Sequence, residues 1–114
     1  MTGTTRPAIT DRSVVDLFPL AITRSYLKTR VTGLCSDRSI LLTADETVAL
    51  AFLRKYRRLS KAASRLRRFN AYTELSYVDL VERLAAARLV RRIDGVEIER
   101  PYARWSQLLA LAPC

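Results

Sequence analysis

Residues 54–68, RKYRRLSKAASRLRR, place eight cations in fifteen positions without a single carboxylate. The chain has 114 residues and a formal net charge of +9, so this stretch carries nearly all of it and the remainder nets +1. Just upstream, Thr43 and Glu46 stand at the spacing of a capping box, and Asp45 and Glu46 suit a helix N-terminus. The pattern predicts one long helix from Ala44 to Phe69, roughly 39 Å in length. At about 100° per residue, Val48, Phe52, Tyr56, Leu59, Ala63 and Leu66 share an arc of about 60°. Arg54, Arg58, Lys61, Arg65 and Arg68 share an arc of about 80° on the opposite side. The first arc is expected to pack into the core. The second is an unrelieved cationic stripe, whereas a merely solvated face interleaves opposite signs at i,i+4. Such a stripe repels itself and implies an anionic partner.

Working outward, residues 1–12 are polar and rich in helix breakers, and are expected to form an extended arm ahead of a single helical domain over 13–114. The arm lacks the apolar core of a secretory signal, and Asp11 and Asp16 are unlike an acid-poor presequence. Val14, Val15, Leu17 and Phe18 read as a short helical turn before Pro19, which suits the first turn of a helix over 19–31. Leu20, Ile22, Tyr26, Leu27 and Val31 are taken as its apolar positions, with Thr32-Gly33 as its end. Residues 34–43 read as a connection with a brief apolar patch at Ile40-Leu41-Leu42.

After a turn at 70–73, a further helix is expected over about 74–91, with Leu75, Val78, Val81, Ala85 and Leu89 on one flank. Asp94-Gly95 leaves two readings open. One is a short β-hairpin near 90–99, and the other is a helix ending at the glycine with 96–99 extended. Pro101 then precedes a final short helix bearing Trp105, Leu108, Leu109 and Leu111. The expected fold class is therefore mainly α, a three- to four-helix bundle around a long basic central helix over 44–69.

Composition narrows the chemistry. Hydrophobic residues make up 49% and charged residues 27%, the balance of a globular chain rather than a disordered one. Three glycines and no histidine leave no glycine-rich phosphate loop and none of the usual imidazole chemistry. Cys35 and Cys114 stand alone, without a CxxC pair, so no metal centre or disulfide framework is expected. No apolar run is long enough to cross a bilayer. The expectation is a protein that is not an enzyme, carries no cofactor, is not transmembrane, and works as a partner-binding piece of a larger assembly.

Three family resemblances bear on the partner. Tyr56-Arg57-Arg58-Leu59, then Arg68-Phe69-Asn70-Ala71-Tyr72, Tyr77, Arg83 and Asp94-Gly-Val-Glu-Ile resemble the LYR-motif (complex I LYR-like) family over about residues 46–98. Lys55 stands where that motif has leucine, and the span from Tyr56 to Phe69 is about one helical turn longer than in the family. This resemblance implies a non-catalytic accessory or adaptor subunit of a mitochondrial, respiratory-type complex, matrix-side or peripheral to the inner membrane. Its basic helix would dock an acidic partner such as acyl carrier protein. Together with the stripe it gives Arg54, Tyr56, Arg57, Arg58, Lys61, Arg65, Arg68 and Phe69 as partner-binding residues. The segments LTADETVALAFL, LSKAASRL and RLAAARLVRR-IDG-VEIER resemble winged-helix DNA-binding domains, with Arg88 where that family has glycine. FPLAITRSYLK, the long helix and ELSYVDLVERL resemble the histone fold, with Tyr72 in place of its loop arginine. The last two imply a nucleic-acid-binding protein, nuclear or in a nucleoid. Anionic lipid remains a further partner for the same cations.

Overall fold

A computed structural model describes residues 7–26, 28–34 and 38–99. Among them the chain forms three helices and six strands in two antiparallel sheets, an α+β fold that replaces the expected mainly-α bundle. In chain order these are β1 (Val15–Leu17), β2 (Leu20–Arg24), β3 (Thr29–Gly33), β4 (Ser39–Leu42), α1 (Ala44–Tyr56), α2 (Leu59–Phe69), α3 (Tyr77–Ala86), β5 (Val90–Ile93) and β6 (Val96–Glu97). The final helix expected after Pro101 lies outside the described residues.

The helix expected over 19–31 is a β-hairpin. Leu20 to Arg24 pair with Thr29 to Gly33, and β4 adds to the other side of β3, giving the order β2-β3-β4. Thr29, Val31 and Gly33 are buried while Arg30 is exposed, the period-2 alternation of a strand. Ile22, Thr23, Thr29, Val31 and Thr32 are β-branched, and such side chains fit a pleated surface better than a helix. The Ile40-Leu41-Leu42 patch is β4, with Val31 opposite Ile40 and Thr29 opposite Leu42.

The Val14–Phe18 stretch is likewise extended. Its β1 lies beside β5 in a second sheet of order β1-β5-β6, and Phe18 N–H donates to Leu89 O at 3.1 Å. Between β5 and β6, Asp94 and Gly95 have φ of 54° and 80°. Two positive φ values in a two-residue loop define the turn whose twist suits a hairpin, so the hairpin is the one of the two readings that the chain adopts. Asp94 also clasps β1. Its N–H donates to Val14 O at 2.8 Å and its Oδ1 accepts Val14 N–H at 2.9 Å.

The long helix over 44–69 is two helices. It begins as expected, with Thr43 and Glu46 closing a reciprocal capping box. It breaks at Arg57, with φ 66°, and Arg58, with an extended backbone. The core explains the break. Leu53 and Leu59 are both buried, yet in one continuous helix they would point about 120° apart. The break resets the phase so that Ala49, Leu50 and Leu53 of α1 and Leu59, Ala62 and Leu66 of α2 enter the same core.

The N-terminal segment satisfies the groups that the break frees. Val15 N–H donates to Arg57 O, Leu59 N–H to Ser13 O, and Ser60 N–H to Asp11 O, at 2.7–3.0 Å. Helix α2 thus has its first donors capped by backbone carbonyls rather than by its own side chain. The arm expected over 1–12 is in its described part attached to the body, with Ile9 packed against the core.

Helix α3 is shorter than the predicted 74–91 and starts at the cap Ser76, whose hydroxyl accepts Asp79 N–H. It ends in a Schellman motif: Leu89 N–H reaches Leu84 O, Arg88 N–H reaches Ala85 O, and Leu84 and Leu89 are both buried. Arg88 takes the left-handed position, with φ 61°, where glycine is the unstrained choice. Arg88→Gly is expected to raise stability by about 0.5–1 kcal/mol, the relief of strain exceeding the added chain entropy. A rise in urea midpoint at unchanged m-value would register it.

Tyr77 ties α3 to α1. Its ring is buried, and its hydroxyl donates to Ala49 O at 2.7 Å. Burial raises its pKa above the ordinary 10.0. The associated stability is complete below pH 10 and is lost as pH rises from there towards the folded-state value, because the unfolded chain ionises first. Tyr77→Phe should cost about 1 kcal/mol at neutral pH and remove that alkaline slope, as read by urea unfolding at a series of pH values.

Candidate functional site: a cationic surface with exposed aromatic rings

Helix α2 is strongly two-sided. Leu59, Ala62 and Leu66 are buried, while Lys61, Arg65, Arg67 and Arg68 are exposed. Lys61, Arg65 and Arg68 recur at i, i+4 and i+7, so they stand on one side of the helix. Arg54 and Lys55, both exposed, end α1, and the exposed Arg58 is the N-cap residue of α2. Of the described residues, none of Arg54, Arg58, Lys61, Arg65, Arg67 and Arg68 is ion-paired to a carboxylate.

Arg57 is different. Its guanidinium binds Asp16, with Nε–Oδ1 at 2.6 Å and Nη2–Oδ1 at 2.5 Å, and its carbonyl accepts from Val15. It holds β1 to the helix break, and its charge is already matched. The expected stripe therefore survives in a modified form. The break interrupts the helical register between Arg54 and Lys61, and α2 alone keeps three cations in line.

The aromatic residues refine the sequence reading. Tyr56 and Phe52, expected on the packed side, do pack against the core but stay half-buried, because the buried face of α1 lies at Ala49, Leu50 and Leu53. Three cations surround the Tyr56 ring: Lys55 Nζ at 5.4 Å, Lys61 Nζ at 5.5 Å and Arg65 Cζ at 5.5 Å from its centroid. Phe52 stacks near Tyr56, with centroids 6.4 Å apart and planes at 21°, and it meets Phe69 edge-on at 6.1 Å and 64°. The three rings form a row across the two helices. At one end Phe69 is 67% exposed. Tyr72, in the turn that follows, is 93% exposed. A cation over an aromatic face gains about 0.5–1 kcal/mol at an exposed site, too little to neutralise three like charges around one ring. The surface keeps a positive potential, and the rings give it flat apolar faces.

The structure thus brings Lys61 and Arg65 to the Tyr56 ring and Phe69 to Phe52, aligns Arg68 with Lys61 and Arg65 on α2, leaves Arg54 and Arg58 exposed at the helix junction, and gives Arg57 a partner in Asp16. Sequence reasoning left Lys55 and Tyr72 out of the site and did not count Phe52, which packs against the core at its margin, as part of it. The alternation of cations and rings through KYRR and RRFNAY was the signal for the first two. For Phe52, only the helix break reveals its position.

Helix α3 has the opposite character. Asp79 and Glu82 are exposed on it, and Glu74 is exposed just before it. Its Arg83 binds Glu46 of α1 and donates to Leu41 O. Thr43, Glu46, Ser76, Asp79 and Arg83 line a cleft of about 380 Å³ between the starts of α1 and α3. The caps of both helices already use donors there. No group of carboxylates or other donors suited to a metal ion occurs among the described residues, and no helix among them is long and apolar enough to cross a membrane. Comparison of this chain with family models, with curated proteins and with solved structures finds no match.

Proposed function

We propose that this protein binds nucleic acid through the surface formed by the last turn of α1 and the exposed side of α2. The observation that carries this reading is the set Lys61, Arg65 and Arg68, aligned, exposed and without carboxylate partners, with Arg54 and Arg58 also exposed at the junction of the two helices. A polyanion is the partner that relieves such a surface, since each phosphate can be matched by one cation with release of its counterion. The order of elements adds support, because three helices followed by a hairpin, α1-α2-α3-β5-β6, is the order of winged-helix domains. In those domains the third helix enters the major groove. Here α3 exposes Asp79 and Glu82, which phosphates would repel, so the proposed contact lies on α2 and not on α3. Docking of acyl carrier protein by an LYR-type adaptor would draw on the same cations.

The test is a titration of labelled oligonucleotides across a range of salt concentrations. With five or six phosphates engaged, the plot of log K against log salt should have a slope of about −4.5 to −5.5 on a duplex and about −3.5 to −4 on a single strand. No binding at low salt, or binding indifferent to salt, would refute the proposal.

A further inference from the structure

Resting on that reading, we infer that the nucleic acid held here is an unpaired strand, with Phe69 and Tyr72 as surfaces on which its bases stack. Phe69 is 67% exposed at the last position of α2, where burial gives it little. Its edge contact with Phe52 holds the ring in one orientation while most of it faces solvent. Arg65 and Arg68 precede it by one turn and by one residue. Tyr72 is set out from the surface by a local turn. The Asn70 side chain accepts Tyr72 N–H at 3.1 Å, and Asn70 O accepts Thr73 N–H at 3.3 Å. Two open rings three residues apart, with arginines next to them, offer π-faces and phosphate partners in alternation.

Duplex DNA or RNA presents charge to such a surface but keeps its bases stacked inside. Only a strand with free bases uses both components. An acidic membrane also attracts cations and aromatic rings, but it takes up a helix through a continuous apolar face. The apolar face of α2, formed by Leu59, Ala62 and Leu66, is buried in the core. Phe69 and Tyr72 are what remains, enough for a few bases and not for a bilayer.

The experiment compares a short single-stranded DNA, a single-stranded RNA of the same sequence and the corresponding duplexes by fluorescence anisotropy, with anionic vesicles as a separate arm. Single strands should bind at least about tenfold more tightly than duplexes, and the DNA and RNA arms tell which sugar is preferred. Phe69→Ala and Tyr72→Ala should each weaken single-strand binding about 5- to 100-fold, the range for loss of one stacked base. The salt slope should be unchanged, because no phosphate contact is removed. Phe69→Leu keeps the apolar bulk against Phe52 but lacks the π-face, and should behave like Phe69→Ala. Duplexes bound as tightly as single strands, or ring variants that bind normally, would overturn the inference and leave nucleic-acid binding standing. No binding to any nucleic acid would overturn both, and vesicle binding in that case would reassign the surface to lipid.

Discussion

Alanine at Lys61, Arg65 and Arg68 together is expected to weaken nucleic-acid binding roughly 10²- to 10³-fold near 0.1 M salt and to flatten the salt slope by about 2–3, as three lost phosphate contacts require. The three side chains are exposed and free of ion pairs among the described residues, so the fold should persist. Removing the cluster should also ease repulsion around Tyr56, where Lys61 and Arg65 both lie 5.5 Å from the ring. Unfolding midpoints should stay level or rise. A variant that loses affinity while keeping or gaining stability would separate binding from folding in one comparison. Arg57→Ala is the complementary control. Its charge is matched by Asp16, so the salt slope should barely change while the unfolding midpoint falls.

Leu53→Ala is expected to cost about 2–5 kcal/mol, the largest stability effect of any single change considered. Leu53 is fully buried in the last part of α1, and its carbonyl accepts Arg57 N–H at 2.8 Å where the helix ends. Truncation leaves a cavity beside the break, at the point where the two helices join one core. Tyr56→Ala offers the contrast. A continuous helix would make Tyr56 a core residue with a comparable penalty, whereas the half-buried ring predicts a smaller one. Urea unfolding of both variants measures the difference directly, and equal losses would contradict the two-helix arrangement.

That contrast also marks where the sequence is legible. The start of α1 is written locally, because Thr43 and Glu46 make a capping box from residues three apart. The β5–β6 turn is local too, since Asp-Gly accommodates two positive φ values. The break at Arg57-Arg58 has no such marker. Neither residue is glycine or proline, and what stabilises the irregular backbone is pairing with Asp11, Ser13 and Val15, more than forty positions away. The helix period therefore runs on through it and centres the packed face of α1 on Phe52 and Tyr56, which meet the core only at its margin, instead of on Ala49, Leu50 and Leu53. At the N-terminus the error is one of period. Leu20, Leu27 and Val31 satisfy a helical template, while Thr29, Val31 and Gly33 satisfy a strand template over fewer residues. The cations of the candidate site were visible as a run, whereas its row of aromatic rings depends on how two helices meet.

The clasp between Asp94 and Val14 joins residues 80 positions apart, and β1 pairs with β5 across nearly the same span. The two sheets therefore follow different timetables during folding. The β2-β3-β4 sheet is built from neighbouring segments and can close early, as local contacts do. The β1-β5-β6 sheet waits for almost the whole described chain, and on a ribosome β1 emerges long before its partner exists. Until β5 arrives, the segment that braces the α1–α2 junction has no strand to hold it. The angle between those helices, and with it the spacing of the cations, therefore depends on contacts that join the two ends of the described chain.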